Sequence, residues 1–457
     1  MTITGSTFQA DAAGAGGAGA GGGKGSTTAG RGGDGGHGGY GAAINTNGIA
    51  LSITNSTFAG SNAGAGGNGG AGGAGGTAGA GGAGAAGGSG GSGGALAAPS
   101  SAMITLSNAT LAGNSAGAGG AGGPGGPGKS VGAGGAGGAT GGGALFYSGS
   151  HLTLTSTLLA SNAGGNCDAQ SLVNAGHNLS FGDLSCPAAF LNGNPQLGPL
   201  QDNGGPTETI DLGAGSAAIS ANPPGVACPA TDQRGVPRPA GGACDIGAYQ
   251  VTAPLASTGP VLALSSRSAT VSGAVTPYAG QGAVSVQYGT STAYGLTSAA
   301  VNVGGVSSAP VSIALGGLRP RTRYHYRLLI STTDGTAVGG DMSFATTVPV
   351  LSAFVLIPAA PTSGHRVTLT YRDSERSVTS FTLLRCLQRV NRRSTRCKRY
   401  GSVLTFTHHD RAGPNLVGFN ARLHGKSLPS GLYVLQAAPR AGIASGGTAA
   451  IRFALGR

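Results

Sequence analysis

One stretch of the chain matches a pattern that performs chemistry in other proteins. Residues 123–130 read GPGGPGKS and satisfy G-x-x-x-x-G-K-[ST], the phosphate-binding loop of nucleotide-binding enzymes. That loop requires a buried strand before it and a helix after it, whose amino-terminal amides hold the phosphates. Here GAGGAGG runs into the motif and VGAGGAGGATGGG follows it, and neither can form that strand or that helix. We therefore expect no nucleotide binding, and we interpret Lys129 as a solvated lysine on a loop.

Two further groups have residue types that could carry chemistry. Asp232 or Asp245 could act as a catalytic carboxylate, but Arg234 and Arg238 lie close to them in sequence. Ion pairs that form a polar cap at the open end of a stack of repeats are therefore the better interpretation. The sequence HHD at 408–410 has metal-ligating residue types, but it is a single cluster at a predicted strand end with no fourth ligand in view. We expect no metal there.

The densest charge in the chain lies in RCLQRVNRRSTRCKRY, residues 385–400. Its two cysteines and the NRRS sequence between them predict a disulfide-closed hairpin with cationic side chains that project towards solvent. Arginine suits phosphate and carboxylate groups through its planar fork of donors. We predict that this hairpin binds polyanions, and the competing interpretation is a solubilising face with no specific partner. The residues are Arg385, Arg389, Arg392, Arg393, Arg396, Lys398 and Arg399.

The composition limits what the rest of the chain can do. There are 94 glycines in 457 residues and no tryptophan. Because glycine buries no side chain and loses the most entropy on ordering, part of the chain must be repetitive or flexible. The net charge of +12 is concentrated at one end, since residues 347–457 hold 16 Lys and Arg against 3 Asp and Glu. A basic binding surface would therefore be C-terminal, and a high isoelectric point alone does not indicate nucleic acid.

Four similar segments repeat along the first third of the chain. Their anchors, Phe8, Phe58, Leu111 and Leu159, lie 50, 53 and 48 residues apart. A second strand signal, read as GAAI, GGAL and GGALF, precedes every anchor except the first. Alternation of apolar and polar residues predicts half-buried strands, and strands this short must stack as the rungs of a solenoid to bury their apolar faces. Because the first copy is incomplete, we expect the start of the protein to be missing.

Long glycine tracts run between the rungs in triplets such as GGAGGA at 69–74 and GGSGGSGGA at 87–95. Three residues per turn is the period of an extended polyproline II helix, and neighbouring helices of this kind could hydrogen-bond through bare backbone. A flexible glycine linker has the same composition. The triplet frame breaks at Ala78 and Val131. The sequence leaves both interpretations open.

Six cysteines occur in three close sets, and none forms C-x-x-C, which disfavours zinc and thioredoxin-type redox sites. An even number in local pairs favours disulfides and an extracellular or cell-envelope location. No apolar run approaches the ~18 residues of a membrane span. No signal peptide is visible, and we expect it in the missing start. Proximity in sequence predicts the pairs Cys167–Cys186, Cys228–Cys244 and Cys386–Cys397.

Residues 194–250 resemble the carboxy-terminal module of bacterial surface proteins called choice-of-anchor Q, which is found on right-handed parallel β-helix repeats. The resemblance rests on NPQLGPLQDNGGPTETIDL and CPATDQRGVPRPAGGACDIGAYQ. Asn194, Ser220 and Gln250 stand where that family usually carries acidic residues. The family pattern defines no active site, so the resemblance implies a fold and a cell-surface setting but no catalytic residues.

The remainder of the chain predicts two β-sandwiches. LGGLRPRTRYHYRL resembles part of a fibronectin type III domain, and Tyr324 stands at the position of the tyrosine corner of that family. Because the chain lacks tryptophan, another large side chain must fill that core. Strand-like segments such as RVTLTYRDS and VLTFTHH follow, and they are similar to C-terminal domains on surface proteins of high-GC actinobacteria.

The sequence therefore predicts an all-β protein: a right-handed parallel β-helix with glycine-rich insertions, followed by two β-sandwich domains. The predicted parts are rungs at 1–165, a choice-of-anchor Q-like end of the β-helix at 166–252, a fibronectin type III-like domain at 254–346 and a basic β-sandwich at 350–457.

These features favour a non-catalytic secreted or cell-surface structural or adhesive protein, without a cofactor, whose partners are anionic cell-wall or extracellular polymers or glycans. The alternative is a β-helix polysaccharide lyase or glycoside hydrolase. Such an enzyme needs paired carboxylates, or a carboxylate with Lys or Arg, on adjacent rungs. Before Cys167 the only acidic residues are Asp11 and Asp34, so the predicted rungs offer little for that chemistry.

Overall fold

The computed structural model of the protein describes residues 1–99, 103–138, 140–149, 151–169, 172–224, 228–239, 243–391, 394–423 and 426–456. Within these residues the fold is all-β, with 35 strands and no helix. Accordingly, no helix of the described part is long and apolar enough to cross a membrane. The all-β prediction is confirmed.

The first part of the chain forms three parallel sheets. Their strand orders are β1-β4-β7-β10-β13, β14-β11-β8-β5-β2 and β12-β9-β6-β3, so each strand pairs with its counterpart in the next repeat. The strands are β1 Thr2–Thr4, β2 Thr7–Gln9, β3 Ile44–Asn45, β4 Leu51–Thr54, β5 Thr57–Ala59, β6 Leu96–Ala98, β7 Ile104–Ser107, β8 Thr110–Ala112, β9 Leu145–Tyr147, β10 Leu152–Thr155, β11 Leu158–Ala160, β12 Cys167–Ala169, β13 Leu172–Asn174 and β14 Leu179–Phe181.

The register of these sheets follows the predicted repeat. The four anchors pair in sequence across one sheet, and the rings of Phe8 and Phe58 stack with centroids 4.7 Å apart. In the third sheet Leu96 pairs with Leu145, so Leu145 rather than Phe146 is the equivalent of Leu96. Alternate apolar residues of the three sheets fill one buried core. Residues after β14 close the last repeat, where Phe190 packs into that core.

The glycine tracts are ordered, which decides between the two interpretations of their composition. Six tracts form three hairpins, and the triplet frame breaks where the second and third hairpins turn. Gly16, Gly19 and Gly22 donate their amides to carbonyls of the third tract at 2.8 Å each, and this three-residue period recurs between all neighbouring tracts. A Cβ at Gly70 would lie 1.9 Å from the carbonyl oxygen of Ala20, so a larger residue at this position would force the two tracts apart. The tracts span 13–25, 29–40, 63–75, 80–94, 116–128 and 131–143, of which 139 lies outside the described residues.

Residues 192–252, here called the flanking segment, lie along the side of the sheets rather than over their end. Thr7, Thr57, Thr110 and Ser156, one from each repeat, all hydrogen-bond to this segment. These bonds place the segment along the side of the stack, where each repeat contributes a threonine or a serine, and not over the open end where the cap was predicted. The segment contains an antiparallel pair, β15 Leu197–Gln201 and β16 Thr209–Leu212.

The middle sandwich packs a three-stranded antiparallel sheet, β17-β18-β22, against a six-stranded one built on β19 and β23. Tyr326 is fully buried in its core, with its ring 5.6 Å from that of Phe344. The hydroxyl of Tyr324 accepts a bond from the amide of Arg319 at 2.9 Å, the contact expected of a tyrosine corner. The strands are β17 Leu255–Leu264, β18 Ala269–Thr276, β19 Gly280–Gly289, β20 Leu296–Thr297, β21 Val301–Gly305, β22 Ala309–Leu315, β23 Arg323–Thr332, β24 Gly335–Val338 and β25 Met342–Ala345.

The last part of the chain, here called the basic sandwich (residues 350–457), packs the sheet β26-β27-β30 against a five-stranded sheet in which β29, β28, β33 and β34 are neighbours and β35 pairs with β33. Phe381 and Leu435, on neighbouring strands of the five-stranded sheet, are fully buried between the two sheets. The strands are β26 Leu351–Ile357, β27 Arg366–Asp373, β28 Ser377–Arg389, β29 Cys397–Asp410, β30 Gly413–Asn420, β31 Arg422–Leu423, β32 Lys426–Ser427, β33 Gly431–Ala441, β34 Ala444–Ser445 and β35 Ala449–Leu455.

Candidate functional site

The segment that matches a phosphate-binding loop has a different structure from one. Between β8 and β9 the described residues contain neither strand nor helix. The amides of Gly123 and Gly126 donate to Ala85 and Gly82 of the neighbouring tract at 2.8 Å, so they do not converge on a common point. Lys129 is exposed at a hairpin turn. The match is a consequence of tract composition.

The charged residues of the flanking segment form a buried structural cluster. Arg234 donates through Nε and Nη2 to Oδ2 of Asp232 at 2.9 and 2.8 Å, and both side chains are inaccessible to solvent. Oδ1 of that carboxylate accepts the amides of Arg234 and Val236. The guanidinium also lies 3.6 Å from the ring centroid of Tyr249. Because every oxygen of Asp232 is engaged, the predicted structural role fits this carboxylate.

Asp245 and Arg238 do not form the second ion pair that their spacing suggested. Arg238 donates instead to the carbonyls of Asp245 and Gly247, and burial lowers its pKa to about 10. The Asp245 carboxylate accepts the amides of Ser220 at 2.7 Å and Val251 at 2.6 Å. Burial raises the pKa of Asp245, and these two amides oppose that shift. The carboxylate therefore organises backbone rather than a neighbouring cation.

The HHD sequence at the end of β29 holds a buried hydrogen-bonded cluster. His408 and His409 point to opposite sides of the strand, so they cannot bind the same metal ion. The hydroxyl of Tyr371 donates to Oδ1 of Asp410 at 2.5 Å, and Nδ1 of His408 lies 2.6 Å from the same oxygen. The hydroxyl of Thr379 donates to Oδ2 at 2.6 Å. In the described part of the chain no three metal-ligating side chains cluster.

The structure contains three disulfides, and they join the pairs that proximity predicted: Cys167–Cys186, Cys228–Cys244 and Cys386–Cys397.

The last disulfide closes the hairpin of β28 and β29. Beyond it Val390 donates to the carbonyl of Arg396 at 3.1 Å, which continues the ladder towards the turn. Arg396 and three further predicted polyanion ligands are exposed, whereas Arg385 is partly buried beside Ser430. The three are Arg389, Lys398 and Arg399. The other two, Arg392 and Arg393, lie outside the described residues.

The few carboxylates of the basic sandwich are withdrawn from its surface. Asp373 and Asp410 are each 3% exposed. Glu375 accepts the hydroxyl of Ser266 at 2.5 Å, so it faces the middle sandwich. Four ion pairs occur in the described part of the chain, and none involves a Lys or Arg of the basic sandwich. The exposed surface of this domain is therefore cationic without internal compensation.

No protein-family model and no curated protein matches the chain. Among solved structures, the sensor domain of the anti-sigma factor RsgI4 of Pseudobacteroides cellulosolvens is 20% identical, with 21% of this chain and 89% of that one covered and a TM-score of 0.17. Dimeric latent PorU of Porphyromonas gingivalis is 10% identical over 44% of this chain and 20% of that one, with a TM-score of 0.19. The FN1–FN3 domains of chicken CNTN1 are 10% identical over 45% and 67%, also with a TM-score of 0.19. Similarities this weak carry no argument about function.

Proposed function

We propose that the chain is a non-catalytic extracellular or cell-surface protein, a rigid scaffold that adheres to anionic polymers through its basic sandwich. In this proposal the stacked parallel sheets are a right-handed β-helix, the flanking segment is a choice-of-anchor Q-like module along its side, and the middle sandwich is a fibronectin type III-like domain. Three disulfides support an oxidising location.

Rigidity is supported by the contacts between successive parts. Arg234 reaches from the flanking segment to the carbonyl of Tyr278 at 2.7 Å, and the hydroxyl of Tyr249 donates to Asp334 at 3.1 Å. A Cβ at Gly280 would lie 2.1 Å from the backbone of Asn203, so the two surfaces touch through bare backbone. Buried bonds at a junction restrict hinge motion, which suits a scaffold.

One observation carries the adhesive part of the proposal: the basic sandwich exposes its cations and withdraws its carboxylates. With 16 Lys and Arg against 3 Asp and Glu in residues 347–457, the protein field there is strongly positive. Such a surface attracts and retains anionic chains, and the attraction weakens as salt screens it. A merely solubilising surface would not need its few carboxylates to be withdrawn.

The test uses the full chain and an immobilised phosphate-bearing wall polymer, with heparin as a second polyanion. We expect binding that falls steeply between 50 and 500 mM salt. Replacing Arg389, Arg396 and Lys398 with Ser should remove most of it. The matched control replaces two exposed arginines of the middle sandwich, Arg321 and Arg323. Binding that ignores salt, or that falls equally in the control, would contradict the proposal.

The enzymatic alternative is separated by a different experiment. The full chain is incubated with a panel of plant and bacterial glycans, and new reducing ends or unsaturated products are measured. The proposal expects none above a boiled control. Release of products that the boiled control lacks would favour a lyase or a hydrolase instead.

A further inference from the structure

A second cationic feature lies at the other end of the hairpin strands, away from the disulfide. Register places Val378 of β28 between His409 of β29 and Arg440 of β33 in one row across the sheet. Arg376 stands just before β28 and Arg411 just after β29. These residues line a cavity of about 420 Å³, which falls in the range of small-molecule sites.

Three arginines line this cavity, and none of them forms an ion pair with a carboxylate in the described part of the chain. All three, Arg376, Arg411 and Arg440, are exposed. The only carboxylate in the lining, that of Asp410, is buried and already accepts three bonds. Glu375, next to Arg376, is held by Ser266. The cavity therefore has a surplus of positive charge.

Another cation lies beside this cavity, on the middle sandwich. Gly442 lines the cavity, and a Cβ built on it would lie 2.4 Å from Nη1 of Arg267. The bond between Glu375 and the adjacent Ser266 fixes this junction. Arg267 therefore adds positive charge next to the cavity without lining it.

We propose that this cavity binds a phosphate or sulfate group. Arginine forks match the oxygens of such groups, and the lining also offers the exposed ring of His409. The site goes beyond polymer adhesion, because it is a defined pocket with one occupant. It also lies far from the disulfide, since nine residues of β28 separate Ser377 in the cavity lining from Cys386, a span of about 30 Å.

The experiment titrates the full chain by calorimetry with inorganic phosphate and with glucose 1-phosphate, with chloride added to keep ionic strength constant. We expect saturable binding with one equivalent. Arg411→Ser and Arg440→Ser should each weaken it by about tenfold or more, because each removes charge-assisted bonds to the oxyanion. Lys398→Ser, at the far end of the hairpin, is the matched control and should bind as the wild type does. Circular dichroism checks that all variants remain folded.

Equal affinity for the two ligands would support a site that recognises the oxyanion alone, and tighter binding of glucose 1-phosphate would support one that includes a sugar. Absence of saturable binding up to about 10 mM, or equal binding by wild type, Arg411→Ser and Arg440→Ser, would overturn the proposal. These results are independent of polymer adhesion, because the adhesion test changes residues at the disulfide-closed end.

Discussion

Two adjacent glycines of the first tract offer a sharp test of the packing between tracts. A Cβ on Gly16 would lie 1.9 Å from the carbonyl oxygen of Gly36 in the second tract and 2.8 Å from the amide nitrogen of Gly67 in the third. A Cβ on Gly17 would meet nothing within 4 Å. Gly16→Ala and Gly17→Ala are therefore chemically identical changes in opposite environments.

The expected cost of Gly16→Ala follows from these contacts. The facing carbonyl must move by about 1 Å before the methyl group fits, and such overpacking costs about 1–3 kcal/mol. The movement also strains bonds such as that from the amide of Gly36 to the carbonyl of Gly17 at 2.7 Å, and two or three of these contribute about 1 kcal/mol each. We expect local stability to fall by about 3–5 kcal/mol. Gly17→Ala should be neutral or stabilising by up to about 1 kcal/mol, because alanine restricts the unfolded chain.

Hydrogen–deuterium exchange measured by mass spectrometry on peptides covering residues 29–40 reports this difference. The amides of Gly30, Gly33, Gly36 and Gly39 in these peptides donate to the first tract, so a loss of 3 kcal/mol should accelerate their exchange at least about 100-fold in Gly16→Ala. Gly17→Ala should exchange at the wild-type rate or more slowly. Fast exchange in the wild type, or equal rates in the two variants, would refute close packing and restore the flexible-linker interpretation.

Two further predictions concern buried carboxylates. Arg234→Met leaves Asp232 charged and unpaired in the protein interior, so we expect the free energy of unfolding, measured with denaturant, to fall by about 3–5 kcal/mol. The double variant with Asp232→Asn should recover part of this loss. Equal stabilities of the single and double variants would contradict the pairing. Burial, aided by the nearby Asp410, raises the pKa of Asp373, so the folded state favours its protonated form. Its stabilising contribution is therefore present below the unfolded pKa of about 3.9 and lost as pH rises through the raised value. The free energy of unfolding of the wild type should fall across that window relative to that of Asp373→Asn, and parallel pH profiles would contradict this.

The repeats were predictable because their information is local. Apolar anchors at similar spacing specify parallel neighbours, and the pairing of Phe8 with Phe58 follows directly. Proximity was also sufficient for the disulfide pairs. The pairing of Leu96 with Leu145 follows in the same way from the GGAL sequence that the two repeats share.

Other features depended on contacts that sequence does not reveal. The flanking segment was expected at the end of the stack, but its place is set by bonds to Thr57 and Thr110, which look like ordinary strand residues in the sequence. Arg376, Arg411 and Arg440 line one cavity because β28 pairs with β29 and with β33 in a register that the sequence does not reveal. The sequence did not predict whether the glycine tracts are ordered, because glycine-rich triplets are compatible with packed extended helices and with a flexible linker.

The packed tracts also restrict how a gene for this chain can change. Their hydrogen bonds recur every third residue and link the two arms of a hairpin, as between Gly33 and Ala20 or between Gly36 and Gly17. Gain or loss of one codon would rotate the rest of an arm by a third of a turn and aim an alanine at a neighbouring backbone. Only whole triplets, added or removed in both arms together, preserve the contacts. Glycine-rich coding repeats are prone to slippage during replication. Here only insertions or deletions of nine nucleotides that occur in both arms of a hairpin would leave the fold intact.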